Sequence, residues 1–162
     1  MQTRSSHPFL IFGVGSPHGD DRFGWEVAAR LSDLVPSGVT VRAVASPIDI
    51  LALLPASPCS ILLIDACAVN CSGVEAAGGR LIELTGEAIA TQLRAAYSTH
   101  TISVADLVPL ARNLHLPVVN WYFLGYAANA CHTETPLSPE AHLAVRGAVE
   151  RALQIASHAY RR

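Results

Sequence analysis

The apolar residues fall into short runs and helical stripes that alternate along the chain. Phe9–Val14 (FLIFGV) is a continuous apolar run, the pattern of a strand buried on both faces. Phe23, Val27, Leu31 and Leu34 then recur at helical spacing, with Asp20 or Asp21 placed to cap that helix and Pro36 and Gly38 placed to end it. Val39–Val44 alternates and predicts a second strand. Ser46, Pro47 and Asp49 offer a cap, a first-turn proline and an acid at the positive end of a helix running through Leu51 and Leu54 to Pro55. Residues 61–64 (ILLI) predict another buried strand, ended by Asp65.

The second half continues in the same manner. Residues 69–79 read as a loop of small residues, 80–84 as a short strand and 87–95 as a helix. Residues 103–114 carry Leu107, Leu110 and Leu114 on one helical face, and Pro109 predicts a kink or a start later than Ser103. Residues 118–126 (VVNWYFLGY) read as a strand, and Leu137-Ser138-Pro139-Glu140 opens a last helix striped by Val145, Val149, Ala152 and Ala156. The order βαβαβ…αβα implies one domain over 1–162, an α/β fold whose open, mostly parallel sheet has helices on both faces.

Composition agrees with a folded core, because 51% of the 162 residues are hydrophobic and only 15% are charged. The formal net charge of -2 offers no basic surface, so a nucleic-acid partner is not expected. No apolar run approaches a membrane span, and residues 1–8 lack the apolar core of a signal peptide; a cytoplasmic protein with no membrane partner is expected. Lysine is absent, which excludes a Walker lysine, a Schiff base and a lysine general base. Arginine replaces none of these, because it keeps its proton. Cys59, Cys67, Cys71 and Cys131 read as reduced thiols; Cys67, Cys71, Cys131 and His132 make an incomplete set for zinc.

The topology narrows the chemistry. Ligands of such sheets bind beyond the carboxyl ends of the strands. The first strand leads through Gly13-Val14-Gly15 to Asp20 and Asp21, and the ILLI strand leads to Asp65, so parallel strands put these carboxylates on one edge. A dinucleotide fits poorly: His18 stands where the third glycine of the fingerprint belongs, and two aspartates at a helix start repel a pyrophosphate. A cation fits better, since carboxylates are hard oxygen ligands and imidazole adds affinity for nickel and zinc. Of the seven histidines, His100 lies in a polar break (YSTHTIS) and His18 lies beside the aspartates; His7, His142 and His158 read as solvated, and His115 sits at a helix end. Nucleophilic alternatives are thin. No Gly-x-Ser-x-Gly elbow exists, Ser98 and His100 lack a third partner, and an acid dyad would pair Asp21 with Asp65. The plain structural roles are a helix cap for one of Asp20 and Asp21, and a bond from turn amides for Asp65.

Four segments in order carry a resemblance to a known family. GVGSPHGDDRFG resembles the glycine-rich, twin-acid signature of the hydrogenase maturation proteases, the endopeptidases that trim the large subunit of nickel–iron hydrogenases. LLIDAC resembles their strand ending in a further acid, STHTISVADLVPLARNLHLP their Ser-x-His segment and following helix, and GYAANACHTETPLSPE their last strand, loop and helix start. The resemblance implies a three-layer α/β/α fold and Asp21, Asp65 and His100 as the metal-recognition and catalytic residues. It implies that the partner is a nickel-loaded large-subunit precursor, with nickel carried by that substrate and no permanent cofactor, and a monomeric endopeptidase. A non-catalytic metal-binding assembly protein on the same scaffold is the alternative. The chain departs from the family pattern at Ser16, at Arg22 and in a first loop one residue shorter.

Overall fold

A computed structural model describes residues 7–68, 79–93, 102–128 and 136–160. Five strands form one sheet in the order β2-β1-β3-β5-β4: β1 (Phe9–Val14), β2 (Val39–Val44), β3 (Cys59–Ala68), β4 (Leu81–Thr85) and β5 (Val118–Ala128). The pairings β1 with β2, β1 with β3 and β3 with β5 are parallel; β4 runs antiparallel along the edge of β5. The helices are α1 (Phe23–Leu31), α2 (Asp49–Ala52), α3 (Glu87–Gln92), α4 (Val104–Asn113) and α5 (Pro139–Tyr160).

Alternation along the strands divides the apolar residues between two cores. Leu10, Phe12, Leu63 and Phe123 face one side, where Ile50, Ile89, Leu107 and Val108 of α2, α3 and α4 cover them. Phe9, Ile11, Leu62, Ile64, Leu124 and Tyr126 face the other side, under α1 and the Val145, Val149, Ala152 and Ala156 stripe of α5. Continuous apolar strands need cover on both faces, and the three-layer α/β/α architecture expected from the sequence is the result. No helix of the described residues is long and apolar enough to cross a membrane.

Several boundaries differ from the sequence reading. Asp65 does not end β3: the strand continues to Ala68, because its backbone stays paired with β5 through Ala68↔Ala128 whatever side chain it carries. Helix α1 stops at Leu31, where the chain tightens and both Leu34 and Val35 donate their N–H to the Leu31 carbonyl. Leu34 is left exposed and Val35 takes its place against the core. Helix α2 is a single turn instead of a helix from Ser46 to Pro55. Helix α4 starts directly after Ser103 and carries Pro109 inside it. The Ser103 N–H donates to Asp106 Oδ2 at 2.8 Å, fixing the start of α4 despite the proline downstream. The loop at 69–78 lies outside the described residues.

Candidate functional site

Three glycines bring the acids together. A Cβ on Gly24, in the first turn of α1, would lie 2.1 Å from the Val14 carbonyl oxygen and 2.5 Å from that of Ile64. Without one, the start of α1 drops onto the carboxyl ends of β1 and β3 at once. Gly13 makes the reciprocal approach, since its Cβ would lie 2.1 Å from the Gly24 carbonyl oxygen. Gly15 does the same against the Asp21 carbonyl oxygen, also at 2.1 Å, and the Ser16 N–H donates to that oxygen at 3.2 Å. The link between β1 and α1 is a 3-10 turn over Gly19–Arg22, entered through Gly19 at φ 51°, a left-handed conformation that glycine adopts without steric cost. Trp25 closes the far side: its Nε1–H donates to the Val44 carbonyl at 2.9 Å and ties the turn to the end of β2.

Asp21 and Asp65 meet at this edge. The Asp65 carboxyl is held well above the ordinary carboxylate range, first by burial and next by the neighbouring Asp21 carboxylate; the Ala66 N–H, which donates to Asp65 Oδ1 at 2.8 Å, opposes both. Two acids distant in sequence thus sense each other electrostatically. Gly125 lies opposite Asp65 in register on β5 and places no side chain beside it. A Cβ there would lie 2.5 Å from the Phe123 ring and 3.1 Å from Cys67 Sγ. A cation binding between the two acids would relieve their repulsion and favour the doubly ionised form.

Asp20 belongs to the structure instead. It is 5% exposed, and its oxygens accept the Ser138 N–H at 2.8 Å and the Ser138 hydroxyl at 3.0 Å. Neither Asp20 nor Asp21 caps α1 as the spacing suggested; the cap position is Arg22, and no side chain bonds there. The twin acids therefore divide their labour: Asp20 holds the turn and Asp21 faces Asp65. Arg22 turns away from both, pairing with Glu26 at 2.9 Å, so its charge does not neutralise the site.

The remaining candidates separate clearly. His18 is exposed, and its backbone N–H donates to Ser16 Oγ at 3.4 Å. His7, His142 and His158 are exposed, as expected for solvated side chains. His115 ends α4 with φ 53°. His100, Ser98, Cys71, Cys131 and His132 lie outside the described residues, and among the described residues no group of three or more His, Cys, Asp or Glu could hold a metal ion. Sequence reasoning missed Ser138 as the partner of Asp20 and Gly24 as the close contact. The first carried a signal in the Ser-Pro helix start; the second was a glycine at the opening of an apolar helix.

A three-layer α/β/α sheet with acids delivered to one edge by a glycine-packed turn has solved counterparts among the hydrogenase maturation endopeptidases. The hydrogenase maturating endopeptidase HybD from E. coli superposes with a TM-score of 0.74 at 19% identity, over 93% of this chain and 93% of that one. The NiFe hydrogenase maturation protease HybD from Thermococcus kodakarensis gives 0.69 at 23% identity, over 92% and 99%. The maturation protease HycI from Thermococcus kodakarensis KOD1 gives 0.61 at 19%, over 98% and 96%. No protein-family model and no curated protein sequence matches the chain. The fold of this chain is the fold of those endopeptidases.

Proposed function

We propose that the protein is an endopeptidase that removes a C-terminal extension from the precursor of a nickel–iron hydrogenase large subunit after nickel has been inserted. The observation that carries the reading is the raised Asp65 carboxyl beside Asp21, a pair of acids crowded at the carboxyl edge of a sheet. Proteins rarely crowd two carboxylates without a proton or a cation to share. The scaffold they stand on supports the same reading.

In this reading the nickel arrives with the substrate. Asp21, Asp65 and His100 supply the oxygen and imidazole donors that recognise it. Recognition fixes the neighbouring peptide against the enzyme, so that part of the rate comes from positioning. The same ion polarises the adjoining carbonyl, and a site carboxylate takes the proton of the attacking water. Metal-free precursor lacks the anchor and is not cut.

The test is intact-mass analysis of a large-subunit precursor, nickel-loaded and metal-free, after incubation with the protein. Loss of a C-terminal peptide from the nickel form alone is expected. Binding of the nickel form without cleavage would replace the protease reading with a non-catalytic assembly protein on the same scaffold.

A further inference from the structure

We propose that Asp20 and Ser138 form a positioning clasp, through which the start of the last helix holds the metal-reading carboxylate of Asp21 in place. The proposal rests on the functional reading above and adds two residues to it. Neither touches the metal; both act through Asp21.

Burying a carboxylate is costly unless its oxygens are satisfied. Asp20 is buried, and each of its oxygens accepts a bond from Ser138, across 118 positions of sequence. The hydroxyl geometry is fully determined. Ser138 Oγ accepts the Ala141 N–H at 3.2 Å, as a helix cap does. A serine hydroxyl has one proton to give, and that proton is directed to Asp20 Oδ2. Ser138 therefore has two partners at once, the amide end of α5 and the turn that carries Asp21.

That turn is only four residues long, Gly19–Arg22. Its far side is pinned at the backbone, where the Ser16 N–H reaches the Asp21 carbonyl. Its near side is pinned by Asp20. Asp21 is thus held through its own carbonyl and through the residue just before it, and the two anchors together direct its side chain. Cutting the clasp leaves Gly13 and Gly24 packed, and α1 in place, but releases the turn. A cap for α5 alone would need Ser138 and not Asp20; a cap for α1 alone would not reach Ser138. The pair makes sense as a link between the two.

The test is calorimetric titration of the full chain with Ni(II) alone, in parallel with thermal melting. Asp20→Ala and Ser138→Ala are expected to weaken nickel binding roughly tenfold or more, the size of loss seen when a group orienting a ligand is removed. Ser138→Thr, which restores the hydroxyl, is expected to recover nearly all of it. Both alanine variants are expected to keep a cooperative melt, and Ser138→Thr is expected to recover nickel binding even where the melting temperature stays below the wild type. That separation of nickel binding from stability distinguishes a positioning role from general destabilisation. Ser138→Ala binding nickel as tightly as the wild type, while Asp21→Asn loses it, would overturn the clasp and leave the functional reading standing. Nickel binding that is absent, or indifferent to Asp21→Asn, would overturn the clasp alone; the functional reading, in which nickel arrives with the substrate, stands or falls on the precursor test. If Asp20→Ala does not fold, the Ser138 pair of variants decides the matter.

Discussion

The two ends of the sheet are built on opposite principles. At the amino end, polar groups are paired, the neutral ones with one another and Glu87 with Arg112. The Cys59 N–H donates to the Pro117 carbonyl at 2.8 Å, the Ser60 N–H to the Pro8 carbonyl at 3.0 Å, and Asn120 Nδ2 to the buried Ser60 hydroxyl at 3.1 Å. Helix α4 ends there in a left-handed His115, with the Leu116 N–H bonded back to Ala111 at 2.9 Å. At the carboxyl end, two acids are pressed together and one of them is held away from its ordinary ionisation. Concavity does not follow this division. A cavity of about 800 Å³ lies at the amino end, between α3, α4 and the start of β5, lined by Trp121, Tyr122, His115 and the Arg112–Glu87 ion pair. Its acid is already paired with an exposed arginine, so among the described residues that line it no carboxylate is left uncompensated. Charge that the fold leaves uncompensated, rather than empty volume, marks the site.

The contrast can be broken or sharpened by substitution. Asp21→Asn should have the largest effect: loss of processing by more than about 100-fold, beyond what outer partners of a ligand cost, with the fold retained by circular dichroism. Gly24→Ala should come next. Its new Cβ meets two strand carbonyls, so the helix must lift, at a cost of about 3 kcal/mol in urea unfolding and with loss of processing in parallel.

Asn120→Ala and Asp65→Asn should then differ in sign. The first removes a bond at the amino end and should destabilise by about 1 kcal/mol without touching nickel binding. The second should stabilise at pH 7 by about 1 kcal/mol while abolishing nickel binding. The sign follows from Asp65 being raised in the folded state. Its contribution to stability is complete below the unfolded value, near pH 4, and falls as pH rises through the folded value. The advantage of Asp65→Asn should therefore vanish in melts below pH 4 and grow toward neutrality. Smallest of all, Glu87→Gln breaks an exposed pair at the amino end and should cost about 0.5 kcal/mol, reduced further by salt, with processing unchanged.

Much of this was legible in the residues. The apolar runs of β1, β3 and β5 and the stripe of α5 specify buried elements directly, because continuous and helical hydrophobic periods need cover that only a layered fold provides. Convergence of Asp21 and Asp65 also followed, since parallel strands deliver their ends to one edge. What sequence could not give was the split between Asp20 and Asp21. Adjacent carboxylates look alike until the partner of one, Ser138, is brought back by the last helix. Nor could it give the length of β3, which is set by pairing with β5 rather than by the acid at its expected end. Gly24 was silent for a related reason: a glycine at a helix start has many uses, and only the approach of two carbonyls shows this one.

The most direct test of the coupled pair is a carbon-detected NMR titration of the Asp65 carboxyl, in the wild type and in Asp21→Asn. In the wild type Asp65 should titrate well above a normal aspartate. In Asp21→Asn the midpoint should move down but stay raised, because burial is the larger of its two causes. An Asp65 that titrates as an ordinary aspartate in the wild type, and does not respond to the loss of Asp21, would mean that the two acids do not share a site.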